Sequence, residues 1–334
     1  MSSHPRLTPV AILTGFLGSG KTTLLQHVLA SPAMKRTAII INEFGEVSID
    51  HLLVANSTDN IIELRNGCLC CTIRGDLAMT LRDLYEKRLL EEIPPFDYVI
   101  IETTGIADPV PILHTLITNQ PLRTAYFPDA VITCVDALHG LRTLQEHDCA
   151  RSQCAIADVV LVTKTDLVAA ADVAAVREAI VQLNPQAELR ESVAGQVEHE
   201  LLFGRHLFEP YPSAEKIRCW LELGDSAPAS HAHGHYYRTH LLASPDPLSM
   251  AGVSVFLNHL VNESKDDVLR IKGIVAARER GGRPAVVHGV REKFYPIQWL
   301  DAWPSEDHSS RLVLIGKSLD SAHLDECFAR LCVQ

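Results

Sequence analysis

The most informative segment of this 334-residue sequence is G-F-L-G-S-G-K-T, residues 15–22. It matches the pattern G-x-x-x-x-G-K-[ST], in which a glycine-rich turn points backbone N–H groups at phosphate oxygens. The apolar run Val10–Thr14 before it predicts a strand, and Thr22–Leu29 after it predicts a helix whose first turn would face the anion. The segment therefore predicts a site for nucleotide phosphates where a strand meets a helix.

Each residue type in this segment has a chemical task. The glycines let the backbone approach the phosphates, Lys21 supplies charge to the β- and γ-phosphates, and the Thr22 hydroxyl is placed to bind Mg²⁺. We expect Lys21 to be catalytic. The predicted nucleotide-binding residues of this segment are Gly15, Gly18, Ser19, Gly20, Lys21, Thr22 and Thr23.

A later strand end predicts a second part of the same site. The apolar strand Tyr98–Ile101 ends in Glu102, whose carboxylate can hold Mg²⁺ through water and is expected to be catalytic. Three residues on, the N–H of Gly105 can sense a γ-phosphate.

The segment T-K-T-D, residues 163–166, is the candidate base-reading motif. The Asp166 carboxylate can accept two hydrogen bonds from guanine N1–H and N2–H₂, which adenine does not offer, and the Lys164 stem can pack over the base. Thr163 stands where Asn is usual. A further base-contacting loop is expected at residues 192–195. The motif therefore favours a guanine nucleotide.

The segment C-L-C-C, residues 68–71, is a second chemical cluster. Its three thiols can converge on one Zn²⁺ ion, and at least one ligand must come from elsewhere. Glu43 and Glu46 offer carboxylates in the loop where GTPases keep a γ-phosphate-responsive switch, so a metal held between the two segments would be coupled to nucleotide state. Thiols without a metal remain the alternative. The candidate zinc ligands are Glu43, Glu46, Cys68, Cys70 and Cys71.

Apolar runs alternate with helical patterns up to about residue 224, which predicts a mostly parallel sheet flanked by helices. We therefore predict an α/β fold of the P-loop NTPase type for residues 1–224. Residues 225–235 are small and polar, which predicts a linker, and whether its alternating histidines bind a cation stays open. Residues 236–334 predict a smaller α+β domain, ferredoxin-like by element order. The histidines are His231, His233 and His235.

Composition excludes several classes of protein. The 30 Lys and Arg residues against 41 Asp and Glu give a net charge of −11, which argues against a nucleic-acid partner. The first apolar stretch is far short of the roughly 18 residues that span a bilayer, and no leader pattern precedes it, so we expect no membrane partner. An odd number of cysteines, 9, favours a reducing, cytoplasmic setting, in which those outside residues 68–71 are core or surface thiols.

Together these motifs resemble the CobW-like family of P-loop GTPases, and most of all its YjiA-type branch. The resemblance rests on the phosphate loop, N-E-F-G-E at 42–46, C-L-C-C at 68–71, E-T-T-G at 102–105 and T-K-T-D at 163–166. Residues 263–273, E-S-K-D-D-V-L-R-I-K-G, look like the C-terminal domain of that family. The resemblance implies cytoplasmic proteins that bind GTP or GDP with Mg²⁺ and deliver Zn²⁺, Co²⁺ or another transition metal to client proteins.

The resulting hypothesis is a metal-binding GTPase that hydrolyses GTP to GDP and phosphate and acts as a zinc chaperone for an unidentified client. No Gln or arginine finger is evident, which indicates slow unassisted turnover. Two alternatives stay open: an ATP-dependent P-loop kinase or ligase, against which Asp166 argues, and a nucleotide-bound zinc- or redox-sensing adaptor with negligible turnover. The sequence does not settle whether the chain forms a homo-oligomer.

Overall fold

The computed structural model describes residues 7–34, 36–42, 61–63, 73–203, 237–263, 267–304, 306–317 and 319–333. The chain divides into two compact units, one built mainly from residues before 210 and the other mainly from residues after it. The predicted linker 225–235 and its histidines lie outside the described residues, so the exact domain boundaries stay a prediction. None of the described helices is long and apolar enough to cross a membrane.

The N-terminal unit is a seven-stranded parallel sheet flanked by helices, which confirms the predicted α/β fold. Its strands are β1 (Thr8–Gly15), β2 (Thr37–Asn42), β3 (Ile61–Glu63), β4 (Tyr98–Thr103), β5 (Tyr126–Asp136), β6 (Val159–Thr163) and β7 (Glu188–Ser192). Its helices are α1 (Lys21–Ala30), α2 (Ile73–Leu89), α3 (Val110–Thr118), α4 (Gln120–Arg123), α5 (Gly140–Glu146), α6 (Asp148–Ala155), α7 (Ala170–Leu183) and α8 (His199–Leu202).

The strand order β3-β2-β4-β1-β5-β6-β7 places β1 at the centre of the sheet, with β4 and β5 on either side. Every residue of β1 is buried, and a strand buried on both faces needs cover from both sides. Because all pairs are parallel, the carboxyl ends of the strands lie at one edge, where α/β proteins bind ligands. The edge therefore receives the ends of β1, β4 and β6, which carry the predicted nucleotide motifs.

The C-terminal unit is an antiparallel sheet covered by two helices, which confirms the predicted α+β class. Its strands are β8 (Tyr237–Ser244), β9 (Val268–Ala277), β10 (Arg283–Val290), β11 (Lys293–Phe294), β12 (Gln298–Trp299) and β13 (Ser310–Lys317). Its helices are α9 (Met250–Glu263) and α10 (Ser321–Phe328), and α10 continues as a π-helical turn over Ala329–Val333.

The sheet order is β11-β10-β9-β13-β8, with β12 paired to β10. β13 lies between β8 and β9 and is antiparallel to both, so β8 and β9 run parallel and are joined through α9. This unit of two parallel strands joined by a helix, with a third strand inserted between them, is the ferredoxin-like feature of the C-terminal unit. The second helix, α10, follows the last long strand instead of preceding it. Phe256 of α9 and Phe328 of α10 are buried in the core between helices and sheet.

Candidate functional site

The phosphate loop joins β1 to α1 at the carboxyl edge of the sheet. Gly20 precedes the first residue of α1 with a φ of 95°, a left-handed conformation that costs glycine little. A Cβ on Gly15 would lie 2.4 Å from the carbonyl oxygen of Cys134, so β5 approaches too closely for any side chain. The loop therefore has the strand–turn–helix geometry that a phosphate site requires.

The ammonium group of Lys21 is folded over this loop. Its Nζ donates hydrogen bonds to the carbonyl oxygens of Gly15, at 2.9 Å, and Phe16, at 3.1 Å, and the side chain is buried. The positive charge is thus held at the turn itself, where it would act on a bound phosphate with little screening by water.

Two hard oxygen donors belong to the same edge. Thr22 is the second residue of α1 and is half-buried, and Glu102 is the penultimate residue of β4 and is buried. Hydroxyl and carboxylate oxygens, with waters, are the ligands that Mg²⁺ prefers, so the donor set fits this ion.

The loop after β4 packs directly on the phosphate loop. A Cβ on Gly105 would lie 2.6 Å from the backbone nitrogen of Leu17, which leaves room for glycine alone. One residue beyond Glu102, the hydroxyl of Thr103 donates a 2.8 Å hydrogen bond to the hydroxyl of Thr14, and both are buried. The ends of β1 and β4 are therefore tied together, with Gly105 against the phosphate loop.

Gln153 of α6 anchors this second loop, a role that no local sequence pattern signals. Its Nε2 donates to the carbonyl oxygens of Gly105, at 3.2 Å, and Ala107, at 3.0 Å. Its own backbone carbonyl accepts a 2.8 Å hydrogen bond from Thr133 of β5. The side chain is buried, so these bonds are shielded from water and fix the position of Gly105.

The end of β6 also contacts the phosphate loop. The hydroxyl of Thr163 donates to the carbonyl oxygen of Ser19, and Nζ of Lys164 donates to that of Gly18, each at 2.7 Å. Asp166 lies on the helical turn that follows and is exposed, so its carboxylate is accessible to a ligand. The structure thus brings T-K-T-D beside the phosphate loop.

The loop after β7 reaches the first turn of α1. Gly195 has a φ of 77°, and a Cβ there would lie 2.4 Å from the carbonyl oxygen of Thr23. Ser192 closes the loop by donating a 2.8 Å hydrogen bond to the carbonyl oxygen of Gln196. The segment predicted to contact the base therefore lies against the helix that starts at the phosphate loop.

The predicted zinc ligands, Glu43, Glu46, Cys68, Cys70 and Cys71, lie in parts of the chain that the structure does not describe. The strands that precede the two segments in the sequence are described. Glu43 follows directly on β2, and the cysteine segment follows β3, which pairs in parallel with β2. Both strands end at the same carboxyl edge of the sheet as β1, which leads into the phosphate loop.

Cys134, at the back of the phosphate loop, is a buried thiol. Burial raises its pKa to about 12, against the opposing effect of the Lys21 charge and with a further contribution from Glu102. Cys134 and Cys154 are buried core residues and Cys149 is half-buried, as predicted for scattered thiols, while Cys219 falls outside the described residues.

Residues 9–191 match the CobW/HypB/UreG nucleotide-binding domain, and residues 237–332 match the C-terminal domain of the cobalamin synthesis protein CobW. The chain is 32% identical to the zinc chaperone YjiA of Escherichia coli (strain K12), over 97% of this chain and 99% of that protein. It is also 32% identical to the zinc chaperone CobW of Pseudomonas aeruginosa, over 94% of this chain and 88% of that protein. The crystal structure of the Zn(II)-bound YjiA GTPase from E. coli matches it with a TM-score of 0.72 and 27% identity, over 98% of this chain and 99% of that one.

Proposed function

Because the chain belongs to the CobW/HypB/UreG family of nucleotide-binding proteins, we propose that it is a GTPase that hydrolyses GTP to GDP and phosphate and delivers zinc to a client protein. The observation that carries the GTPase part is the pair of 2.7 Å hydrogen bonds from Thr163 and Lys164 to the phosphate loop. These bonds hold the guanine-reading segment next to the phosphate-binding segment, as one nucleotide requires.

In this proposal each part of the nucleotide has its own residues. Lys21 and the loop N–H groups bind the β- and γ-phosphates, and the exposed Asp166 carboxylate accepts hydrogen bonds from guanine. Thr22 and Glu102 would hold Mg²⁺, which neutralises charge on the phosphates when bound. Gly105, fixed by Gln153, donates its N–H to the γ-phosphate.

The zinc part rests on the cysteine segment and on the family. The relatives reported above are called zinc chaperones, and residues 68–71 carry three of the thiols that Zn²⁺ favours. Glu46 and Glu43 are the proposed additional ligands, and β2 and β3, the strands that precede the two segments in the sequence, end at the edge that carries the phosphate loop. We propose that GTP occupancy changes the zinc affinity of this site, in which case zinc must change GTP affinity by the same factor.

The test of the nucleotide assignment compares nucleotides as substrates and competitors. We expect slow turnover of GTP to GDP and phosphate, with ATP neither hydrolysed at a comparable rate nor used to modify an acceptor. Asp166→Asn should shift preference from GTP towards XTP, because the carboxylate pairing with guanine is lost.

Asp172→Asn is the matched control, since Asp172 is an exposed carboxylate in the first turn of α7. Equal rates with ATP and GTP would favour the kinase or ligase alternative. Undetectable turnover with zinc and GTP present would favour the adaptor.

A further inference from the structure

The C-terminal unit brings together three side chains of the kinds that bind transition metals. His259 lies on α9, and His323 and Cys327 lie on α10. One ligand atom from each lies within 4.8 Å of the other two. His323 and Cys327 are four residues apart, but nothing local in the sequence connects them to His259, because the strands of the sheet separate the two helices.

The distances among these atoms match those of ligands around a single ion. The two histidine Nε2 atoms are 3.4 Å apart, and Sγ of Cys327 is 3.4 Å from Nε2 of His259 and 3.5 Å from Nε2 of His323. A tetrahedral Zn²⁺, with bonds of about 2.0–2.1 Å to nitrogen and 2.3 Å to sulfur, holds its ligand atoms about 3.3–3.6 Å apart. The three atoms therefore already form one face of a tetrahedron.

Helix geometry explains the arrangement. His323 and Cys327 are four residues apart on α10, so they project from one face, and the same spacing relates His259 and Glu263 on α9. The two helices present these faces to each other because their cores interlock. Phe256 and Phe328 pack edge to face with ring centroids 5.6 Å apart.

Close packing at the start of α9 holds the helices in place. A Cβ on Gly252 would lie 1.8 Å from the carbonyl oxygen of Leu331, in the π-helical turn after α10. Only glycine allows this approach. The backbone of α9 and that of the turn after α10 are therefore in close contact at this point, about two turns from the ligand side chains.

A carboxylate, that of Glu263, lies next to the histidines of this cluster. Its Oε1 lies 3.1 Å from Nδ1 of His259, the ring nitrogen that faces away from the cluster. A carboxylate on one ring nitrogen of a histidine fixes the ring and directs the lone pair of the other nitrogen towards a metal. Glu263 Oε2 is also 3.9 Å from Nε2 of His323. Glu263 is thus a positioning residue for His259.

We propose that His259, His323 and Cys327 form a transition-metal site, for Zn²⁺ or a similar borderline divalent ion, whose fourth position is open to water or an incoming ligand. Thiolate and imidazole donors select such ions over Mg²⁺ and Ca²⁺. Cys327 is 1% exposed, whereas the His323 side chain is 49% exposed, so the ion is anchored in the core and can be reached from solvent. Three protein ligands and one open position suit a site that exchanges its metal. The inference does not depend on the proposed GTPase function.

Cobalt binding to the full chain without nucleotide tests this site. Cys68, Cys70 and Cys71 are first replaced by Ser, so that the segment at 68–71 cannot contribute. We expect this background to bind one Co²⁺ with a thiolate-to-cobalt charge-transfer band and the intense visible bands of tetrahedral coordination, and Zn²⁺ to displace the Co²⁺. His323→Ala should weaken binding at least about 10-fold, and Glu263→Gln should weaken it while leaving the band in place.

Cys327→Ser should abolish the charge-transfer band. Because Cys327 is buried and its replacement can impair folding, the half-exposed His323 supplies the decisive variant. His308→Ala is the matched control, since His308 is an exposed histidine of the same unit that stacks on Trp303. The proposal is overturned if the background gives no thiolate band with Co²⁺, or if His323→Ala binds Co²⁺ as tightly as the His308→Ala control.

Discussion

The hydroxyl of Thr163, at the end of β6, donates a 2.7 Å hydrogen bond to the carbonyl oxygen of Ser19 in the phosphate loop. Both residues are buried, so water does not compete for this bond. Thr163 occupies the position where Asn is usual, and its side chain packs against the phosphate loop beside Gly20. The bond links the segment that is proposed to read the base to the phosphate loop.

Replacing this hydroxyl should weaken both the fold and nucleotide binding. Thr163→Val keeps the shape but leaves the Ser19 carbonyl without its donor, which should cost about 1–3 kcal/mol in the free energy of unfolding. We expect the affinities for GTP and GDP to fall together by about 3- to 10-fold, which corresponds to the net free energy contributed by one hydrogen bond.

Chemical denaturation and nucleotide titration measure these two effects. Thr118→Val is the control, because Thr118 is exposed and its hydroxyl donates to the carbonyl oxygen of His114 in its own helix. Equal stability of the two variants would show that the Thr163 bond is dispensable.

Removing the ammonium group of Lys21 should abolish most GTP hydrolysis. Its charge lies at the turn that would hold the phosphates, so we expect Lys21→Ala to lower kcat at least about 100-fold. Lys87→Ala removes one charge from a half-exposed helix position paired with Asp83 and should leave kcat unchanged. Phosphate release assays measure kcat for both variants. Normal turnover by Lys21→Ala would contradict the assignment of residues 15–22 as the phosphate-binding loop.

Gln153 should affect discrimination between GTP and GDP. Gln153→Leu leaves the carbonyl oxygens of Gly105 and Ala107 without their donor, so the loop that is proposed to face the γ-phosphate loses its anchor. We expect GTP affinity to fall more than GDP affinity, with a loss of about 1–3 kcal/mol in unfolding free energy. Gln182→Leu, on the surface of α7, is the control. A loss that is equal for both nucleotides would argue against a role at the γ-phosphate.

The buried thiols predict how stability depends on pH. Burial raises the pKa of Cys134 and of Cys154 to about 12, from the ordinary value of 9.0. The folded protein therefore loses these protons at a higher pH than the unfolded chain does. The free energy of unfolding is unaffected by this difference below about pH 9 and falls as pH rises towards 12. Each thiol should lower the unfolding free energy by about 2 kcal/mol between about pH 8.5 and pH 10.5.

Denaturant titrations of the Cys134→Ala and Cys154→Ala variants measure this contribution. Each replacement should flatten the alkaline fall in stability, whereas Cys149→Ala, at a half-buried position, serves as the control. If the unfolding free energy of both buried variants falls with pH as steeply as that of the unchanged protein, other groups cause the loss of stability at alkaline pH.

The sequence predicts strands well where burial is complete. The run Val159–Thr163 predicts a strand with the same ends as β6. The run Val268–Ala277, apolar except for Arg270, Lys272 and a glycine, predicts a strand with the same ends as β9. Helix α3, by contrast, is not predicted. Its sequence V-P-I-L-H-T-L-I-T buries six of nine residues, so no polar face remains to reveal a helical period.

The same contrast applies to the sites. The nucleotide site is predictable because each of its parts is a short continuous segment. Gln153 is not, since it acts on carbonyl oxygens 48 and 46 positions away. Cys327 is predicted as an ordinary thiol, and only the fold shows that it meets His259, 68 positions earlier. Contacts made by packing of distant helices leave no local pattern to detect.

The coupling of nucleotide and metal is tested most directly by the zinc affinity of the full chain in three states: without nucleotide, with GDP, and with a non-hydrolysable GTP analogue. Measured by competition with a chelator in the His323→Ala background, the affinity should differ between the GDP and GTP-analogue states by about 5- to 150-fold. Equal zinc affinity in all three states would contradict the proposed delivery cycle.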